Sequence, residues 1–509
     1  MFSMCSFRAA NGNAGLATRK LAVGALEQTT SEHFLELYAE NCRRYLMRHT
    51  LTFLETQYAQ LTEHLFGEGH DRERAAYLLC GLSHTSAEAR LLVRQVICVP
   101  DTDLLSQGAG HLSIPASSFL PVMKKADREH ASFVLVHSHP KGIPDHSAQD
   151  DREEPGLFRT AYNRISTKDA LHTSLVVSEP NMTQGRVWLD GGDTCPIDVI
   201  RIIGRRIRFI PRGGLYGSVD TSFHDRAVRA FGTDLQPLLQ SLTVGVVGAG
   251  GTGSSVTEQL IRLGIGHLVV ADGQTLERSN VSRVYGSQTD DVGISKAVLM
   301  GRLARHLGFN TRVDPIKWPI TYQSAMKKFR DCDMIFGCTD DQWGRSLLSL
   351  FSIEYCVPVF DLGVKIDSKD GVIRSIPGRV TTLMPGLPCL YCRRQITPEG
   401  VAAEQLQELA PEEANERRRE GYIPELPDAE PAVIAFTTAT AALAISELLN
   451  RLTGFKGEGY QAGELLIRFD ESAIKKPGAV QQPGCICTDA TRIGRGDQTR
   501  FLGQTWREE

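Results

Sequence analysis

Thr243-Val244-Gly245-Val246-Val247-Gly248-Ala249-Gly250-Gly251-Thr252-Gly253-Ser254 decides the fold of the larger part of this chain. The first five residues form an apolar, β-branched run that reads as a buried strand. The glycines mark a strand-to-helix turn, and a helix is expected from Ser254. Glycine at such a turn lets the backbone approach a phosphate held at a helix N-terminus. Gly248, Gly250, Gly251 and Gly253 are therefore candidate nucleotide-binding residues. Leu268-Val269-Val270-Ala271-Asp272 supplies a second strand that ends in an acid. Asp272 lies at the spacing expected of a ribose-hydroxyl ligand. Up to this point a dinucleotide-dependent dehydrogenase fits as well.

The residues that follow do not suit a dehydrogenase. Ser279-Asn280-Val281-Ser282-Arg283 is followed by Gly293-Ile294-Ser295-Lys296-Ala297, then by Cys338-Thr339-Asp340-Asp341 with Arg345 one helical turn on. Arg283 and Lys296 suit the neutralisation of a triphosphate, with Asn280 beside them, and Asp340 suits Mg²⁺. Strands and helices alternate from Thr243 to about Arg379, which implies a parallel sheet in an α/β fold.

This arrangement resembles the ThiF/MoeB/ubiquitin-activating-enzyme superfamily over about residues 222–487. The resemblance implies a Rossmann-like domain that uses ATP and Mg²⁺ to adenylate the C-terminal glycine of a ubiquitin-like protein. It also implies a homodimer in which Arg226, or alternatively Arg229, reaches the neighbouring subunit's ATP site. Cys389, Cys392, Cys485 and Cys487 match the family's structural zinc site, and four thiolates suit a closed tetrahedral Zn²⁺. The second pair is C-x-C where the family usually has C-x-x-C. Conjugating members form a thioester on a cysteine in the loop that crosses the nucleotide site. Residues 393–432, the corresponding stretch, hold no cysteine. The expected product is therefore the acyl-adenylate. A hydroxyl such as that of Thr397, or one of the zinc cysteines, is the alternative acceptor. Cys332, Cys338 and Cys356, in apolar, sheet-like surroundings, are the other cysteines of this half.

A second signature lies upstream. His137-Ser138-His139, seven residues, Ser147, two residues and Asp150 follow the apolar run Phe133-Val134-Leu135-Val136. Two histidines two apart on a strand end point the same way. Two imidazoles and a carboxylate make a three-ligand catalytic zinc site with a fourth position for water. The motif resembles the JAMM (MPN+, JAB) metallopeptidases over about residues 50–205. That resemblance implies an α+β peptidase domain acting after ubiquitin-like C-termini. It also implies that Ser147 hydrogen-bonds the tetrahedral intermediate, and that an upstream glutamate is the general base. Glu73 is the best match and Glu88 the alternative.

Length and composition set the bounds. A chain of 509 residues is too long for one core. A net charge of -4 gives no reason to expect nucleic acid, and no apolar run is long enough to cross a bilayer. Twelve cysteines spread over the chain fit reduced thiols in a cytoplasm better than a disulfide framework. The expected organisation is a poorly patterned extension at 1–46 and the metal domain at 47–208. A linker at 209–221, the adenylation domain at 222–488 and a polar tail at 489–509 follow. Within the metal domain, Thr52–Leu65 is expected to be helical, Arg94–Val99 a strand, and Leu157–Ile165 a helix. Together the two resemblances imply a two-headed enzyme of a bacterial ubiquitin-like pathway, with a conjugating enzyme as a further partner and antiphage defence as a role to test. Sulfur-carrier activation and a catalytically silent scaffold are the alternatives.

Overall fold

The computed structural model describes residues 47–507 other than 68–70, 141, 143, 168, 180–181, 215, 420–430, 458, 460 and 498–499. The N-terminal extension expected at 1–46 lies outside the described residues. The first large sheet has nine strands. Their order is Arg208–Pro211, Val199–Ile203, Arg48–Leu54, Glu88–Cys98, Ala75–His84, Ser132–Ser138, His172–Glu179, Met182–Trp188 and Thr194–Pro196. Alternation along Ala75–His84 divides its side chains between two cores. Ala76, Leu78 and Cys80 pack with Tyr58, Leu61 and Leu65 of the helix Glu55–Phe66. Ala75, Tyr77 and Leu79 pack with Met123 and Phe158, from the helices Ala116–Arg128 and Asp150–Arg164. Covered on both faces, the central strands read as unbroken apolar runs.

Several expected boundaries move. The helix placed at Thr52 starts at Glu55, because Thr52, Phe53 and Leu54 pair in parallel with Val199–Ile203. The strand placed at Arg94 starts at Glu88. The helix placed at Leu157 starts at Asp150. The linker placed at 209 is a strand as far as Pro211, paired antiparallel with Val199–Ile203.

The second large sheet has eight strands. Their order is Arg312–Ile316, His267–Ala271, Thr243–Val247, Met334–Gly337, Val359–Val364, Pro377–Leu383, Glu464–Arg468 and Ala473–Lys475. The first five are parallel and the last three are added antiparallel. The chain order reverses between Thr243–Val247 and Met334–Gly337. A doubly wound sheet opens a crevice for ligands at such a switch point, beyond the strands' carboxyl ends. Val244 and Val246 pack with Leu260, Leu303 and Leu448 on one face, while Phe329, Leu347 and Phe351 fill the core on the other.

The described residues from Met47 onward fall in one compact unit. Arg201 is 1% exposed and holds the two sheets together. It donates to Glu88 Oε1 at 2.7 Å and to Asp333 Oδ1 at 2.7 Å. Asp333 also accepts from the Thr243 N–H at 2.9 Å, and Arg90 donates to the Cys332 carbonyl at 3.0 Å. The tail expected to be merely polar is part of this joint. Asp497 accepts from the His84 N–H at 2.7 Å, from Arg330 and from the Tyr355 hydroxyl. Phe501 and Leu502 are buried in the core of the second sheet.

Candidate active sites

The metal cluster is built by strand register. Ala75 pairs antiparallel with His137, so the same register carried two residues further sets Glu73 opposite His139. The Glu73 N–H donates to the Gly108 carbonyl at 2.7 Å, which braces the glutamate. Asp150 arrives as the first residue of the helix Asp150–Arg164. The Nε2 atoms of His137 and His139 are 3.2 Å apart. Asp150 oxygens lie 3.3 Å from His137 Nε2 and 3.8 Å from His139 Nε2. A tetrahedral zinc with ligands at about 2.0–2.1 Å separates its ligand atoms by about 3.4 Å, so this donor set fits the ion. Glu73 Oε1 stands 3.9 Å from His139 Nε2, and burial raises its carboxyl to about 7. Asp150 Oδ2 accepts from the Ser147 N–H at 2.6 Å. Ser147 Oγ accepts from the Asp150 N–H at 3.2 Å.

Glu88, the alternative base, is ruled out. Its carboxylate is in the buried joint with Arg90 and Arg201. The chain also builds a support that no motif flagged. Glu154 Oε2 accepts from Ser174, Arg186 and Trp188, which pins the helix that carries Asp150.

The glycine turn lies at the switch point of the second sheet. Gly248 has φ of +87°, in the left-handed region where glycine is at home. A Cβ on Gly253 would fall 1.7 Å from the Gly248 carbonyl oxygen, so the helix can start this close only without a side chain. Gly250 is the N-cap of that helix and Gly251 its first residue. A Cβ on Gly251 would meet the Arg283 side chain at 3.3 Å. Asp272 accepts from the Ala249 N–H at 2.7 Å and the Gln274 N–H at 2.8 Å. Its carboxylate thus clamps the turn. Lys296 Nζ is held by Gln274 Oε1 at 2.7 Å. Gln274 was not singled out in the sequence, and its position two residues past Asp272 was the available signal. Arg283 donates to the Ser279 carbonyl at 2.7 Å, and the buried Asn280 donates to Ser279 Oγ.

The two adjacent aspartates separate by role. Asp341 caps the helix Gln342–Glu354, accepting from the Gly344 N–H. Asp340 is exposed at the end of the loop after Met334–Gly337, with its carboxylate available to a cation. Arg345 reaches Asp361 at 3.4 Å. Arg226 is exposed on the short helix Asp225–Phe231, and Arg229 pairs with Asp225 at 2.8 Å.

Cys389, Cys392, Cys485 and Cys487 converge, with sulfur–sulfur distances of 3.9, 3.4 and 3.5 Å along the sequence of contacts. Zinc with four sulfurs at about 2.3 Å has tetrahedral edges of about 3.8 Å, so the C-x-C pair serves as well as C-x-x-C. Burial pushes the Cys332 and Cys338 thiols well up and Cys356 up to about 12, which suits packing rather than nucleophilic attack. Thr397 caps the helix Pro398–Leu409, accepting from the Gly400 N–H at 3.0 Å.

The model of the ThiF family matches residues 224–480, half of the chain. The chain belongs to the ThiF family. The SAMP-activating enzyme E1 of Haloferax volcanii is 31% identical to this ThiF chain over 168 residues, 33% of this chain and 59% of its own length. The adenylyltransferase and sulfurtransferase uba4 of Aspergillus clavatus is 29% identical over 165 residues, 32% of this chain and 34% of its own. The ubiquitin-like modifier-activating enzyme 5 of Bombyx mori is 27% identical over 184 residues, 33% of this chain and 47% of its own. The chain thus spans less than two thirds of the length of each of these relatives. Among the described residues, no helix is long and apolar enough to cross a membrane.

Proposed function

We propose that this chain is a two-headed enzyme acting on the C-terminal tail of a ubiquitin-like protein. One head adenylates the terminal glycine with ATP, and the other cleaves peptide or isopeptide bonds after that glycine. The glycine turn at the switch point, with Lys296, Arg283 and Asp340 around it, carries the adenylation reading. The ubiquitin-like substrate is proposed from the names of the archaeal and insect relatives.

In adenylation the terminal carboxylate oxygen attacks the α-phosphorus, the new oxygen–phosphorus bond forms, and pyrophosphate leaves. The transition state gathers charge on phosphate oxygens, so positioning and neutralisation supply most of the rate. The turn's backbone and the helix N-terminus hold the phosphates. Lys296 and Arg283 neutralise the polyphosphate, and Asp272 takes the ribose. Mg²⁺ bound by Asp340 would offset the charge of the departing pyrophosphate. Arg226 would complete a second subunit's site in a homodimer.

In cleavage, zinc held by His137, His139 and Asp150 would polarise the scissile carbonyl and acidify a water. Glu73 takes a proton from the attacking water and passes it to the leaving nitrogen. The Ser147 hydroxyl donates to the carbonyl oxygen as negative charge develops there. Four cysteines would hold a second, structural zinc.

ATP–pyrophosphate exchange tests the reading, using a ubiquitin-like protein in full-length form and trimmed to its glycine. Exchange with the trimmed form, and trimming by the intact chain but not by His137→Ala, supports both heads. No exchange with either form removes the adenylation head.

A second reading is favoured by two observations, the burial of Cys332 and Cys356 and the likeness to a sulfurtransferase-named relative. In it a sulfide-level sulfur donor attacks the acyl-adenylate carbonyl and AMP leaves, giving a thiocarboxylate rather than a thioester on a protein thiol. Mass spectrometry of the product decides: a gain of sulfur at the terminus supports sulfur transfer, and isopeptide-linked adducts support conjugation.

A further inference from the structure

We infer that the cavity beside His137, His139 and Asp150 is a specificity pocket for an apolar side chain next to the scissile bond. The inference rests on the peptidase reading of that head. The cavity has a volume of about 270 Å³ and is continuous with the metal cluster, because Glu73, His137, Ser147 and Asp150 form one end of it. The remaining wall mixes apolar side chains with Gln149, Glu153 and Thr160. Leu112 and Ile114 come from the hairpin that braces Glu73, Phe119 from the helix Ala116–Arg128, and Leu157 from the helix Asp150–Arg164. All four are half-buried and pack on the domain core. Such walls around a few convergent polar groups are the usual make-up of a ligand site.

Two residues of its lining carry no side chain. Gly110 and Gly156 line it, and a Cβ on either would meet no atom within 4 Å. Glycine inside the helix Asp150–Arg164 weakens that helix relative to alanine, so Gly156 is costly to the fold and useful to the opening. Residues along an extended peptide are about 3.3 Å apart. A carbonyl at the metal cluster therefore brings the adjoining residue's side chain into the cavity. A terminal glycine carries no side chain, so the group that fills it belongs to the released part of the substrate. Glu153 and Glu154 line the same cavity and disfavour an acidic side chain.

The test uses the zinc-loaded full chain and four hydroxamic acids as probes, with binding measured by calorimetry. Acetohydroxamate reports the metal cluster alone. Hexanohydroxamate adds an apolar tail, the monohydroxamate of succinate an acidic one, and 6-aminohexanohydroxamate a lysine-like one. Hexanohydroxamate should bind at least about tenfold more tightly than acetohydroxamate, since each buried methylene contributes a few-fold. Gly156→Leu should abolish that gain while leaving zinc content and acetohydroxamate affinity unchanged. Equal affinity for the acetyl and hexanoyl probes would overturn the pocket and leave the metal centre standing. Tightest binding of the amino-tailed probe would overturn it in favour of a lysine stem. Binding of none of the four would overturn the metal-centre reading, and the pocket with it.

Discussion

At the scale of single residues, neighbours of the same type carry different work. Asp340 and Asp341 are adjacent, yet one is exposed beyond a strand end and the other caps a helix. Asp340→Ala should lower ATP–pyrophosphate exchange by about 100-fold or more, with thermal stability unchanged. Asp341→Ala should instead cost about 1 kcal/mol of stability, the usual loss of an N-cap, measured by urea unfolding. Glu73→Gln should lower peptide cleavage by roughly 100-fold or more while zinc content, read by atomic absorption, holds. His172 supplies a pH test away from both sites. Its Nδ1 accepts from the Phe133 N–H at 3.1 Å, and burial lowers its pKa to about 4 from 6.5. The folded state therefore binds fewer protons than the unfolded chain between those values. Its stabilising contribution is complete above pH 6.5 and is lost as pH falls toward 4, about 3 kcal/mol in all. His172→Asn, which keeps an acceptor, should flatten that acid limb in urea midpoints measured at pH 7.5 and 5.

At the scale of elements, the strand that carries the histidines and the glycine turn were both legible, because each is a local pattern followed by its own chemistry. Boundaries were less so. Thr52, Phe53 and Leu54 fit a helical spacing, and sheet pairing with Val199–Ile203 and Glu88–Cys98 makes this stretch a strand. Residues 489–507 lack periodicity, and their structure comes from partners distant in sequence. Asp497, which closes that segment on both sheets, has no sequence signal beyond its charge. Asp497→Ala would leave the His84 N–H, Arg330 and the Tyr355 hydroxyl without their acceptor. A loss of about 2 kcal/mol is expected, with faster proteolysis after residue 488 as a second readout.

At the scale of the whole molecule, the two heads are joined through buried charge rather than by a tether. Arg201→Met removes the cation between Glu88 and Asp333, leaving Glu88 with Arg90 and the buried Asp333 without this guanidinium, a change that costs about 3–5 kcal/mol. Unfolding followed by circular dichroism should become biphasic as the heads part. The sequence by itself determined the ThiF half and named the residues of both candidate sites, since histidine–carboxylate clusters and glycine turns are short-range patterns with strict spacing. It also placed the C-x-C pair and Glu73 among the candidates. Only the tertiary structure decided that Glu88 belongs to the joint, that Asp341 caps a helix, and that the tail is a clasp. Those outcomes depend on contacts between residues as much as 413 positions apart, as His84 and Asp497 are. A pattern read along the chain carries no record of which distant side chain will neutralise a charge. Packing sets that, by bringing the partner within hydrogen-bond reach or leaving the group in water.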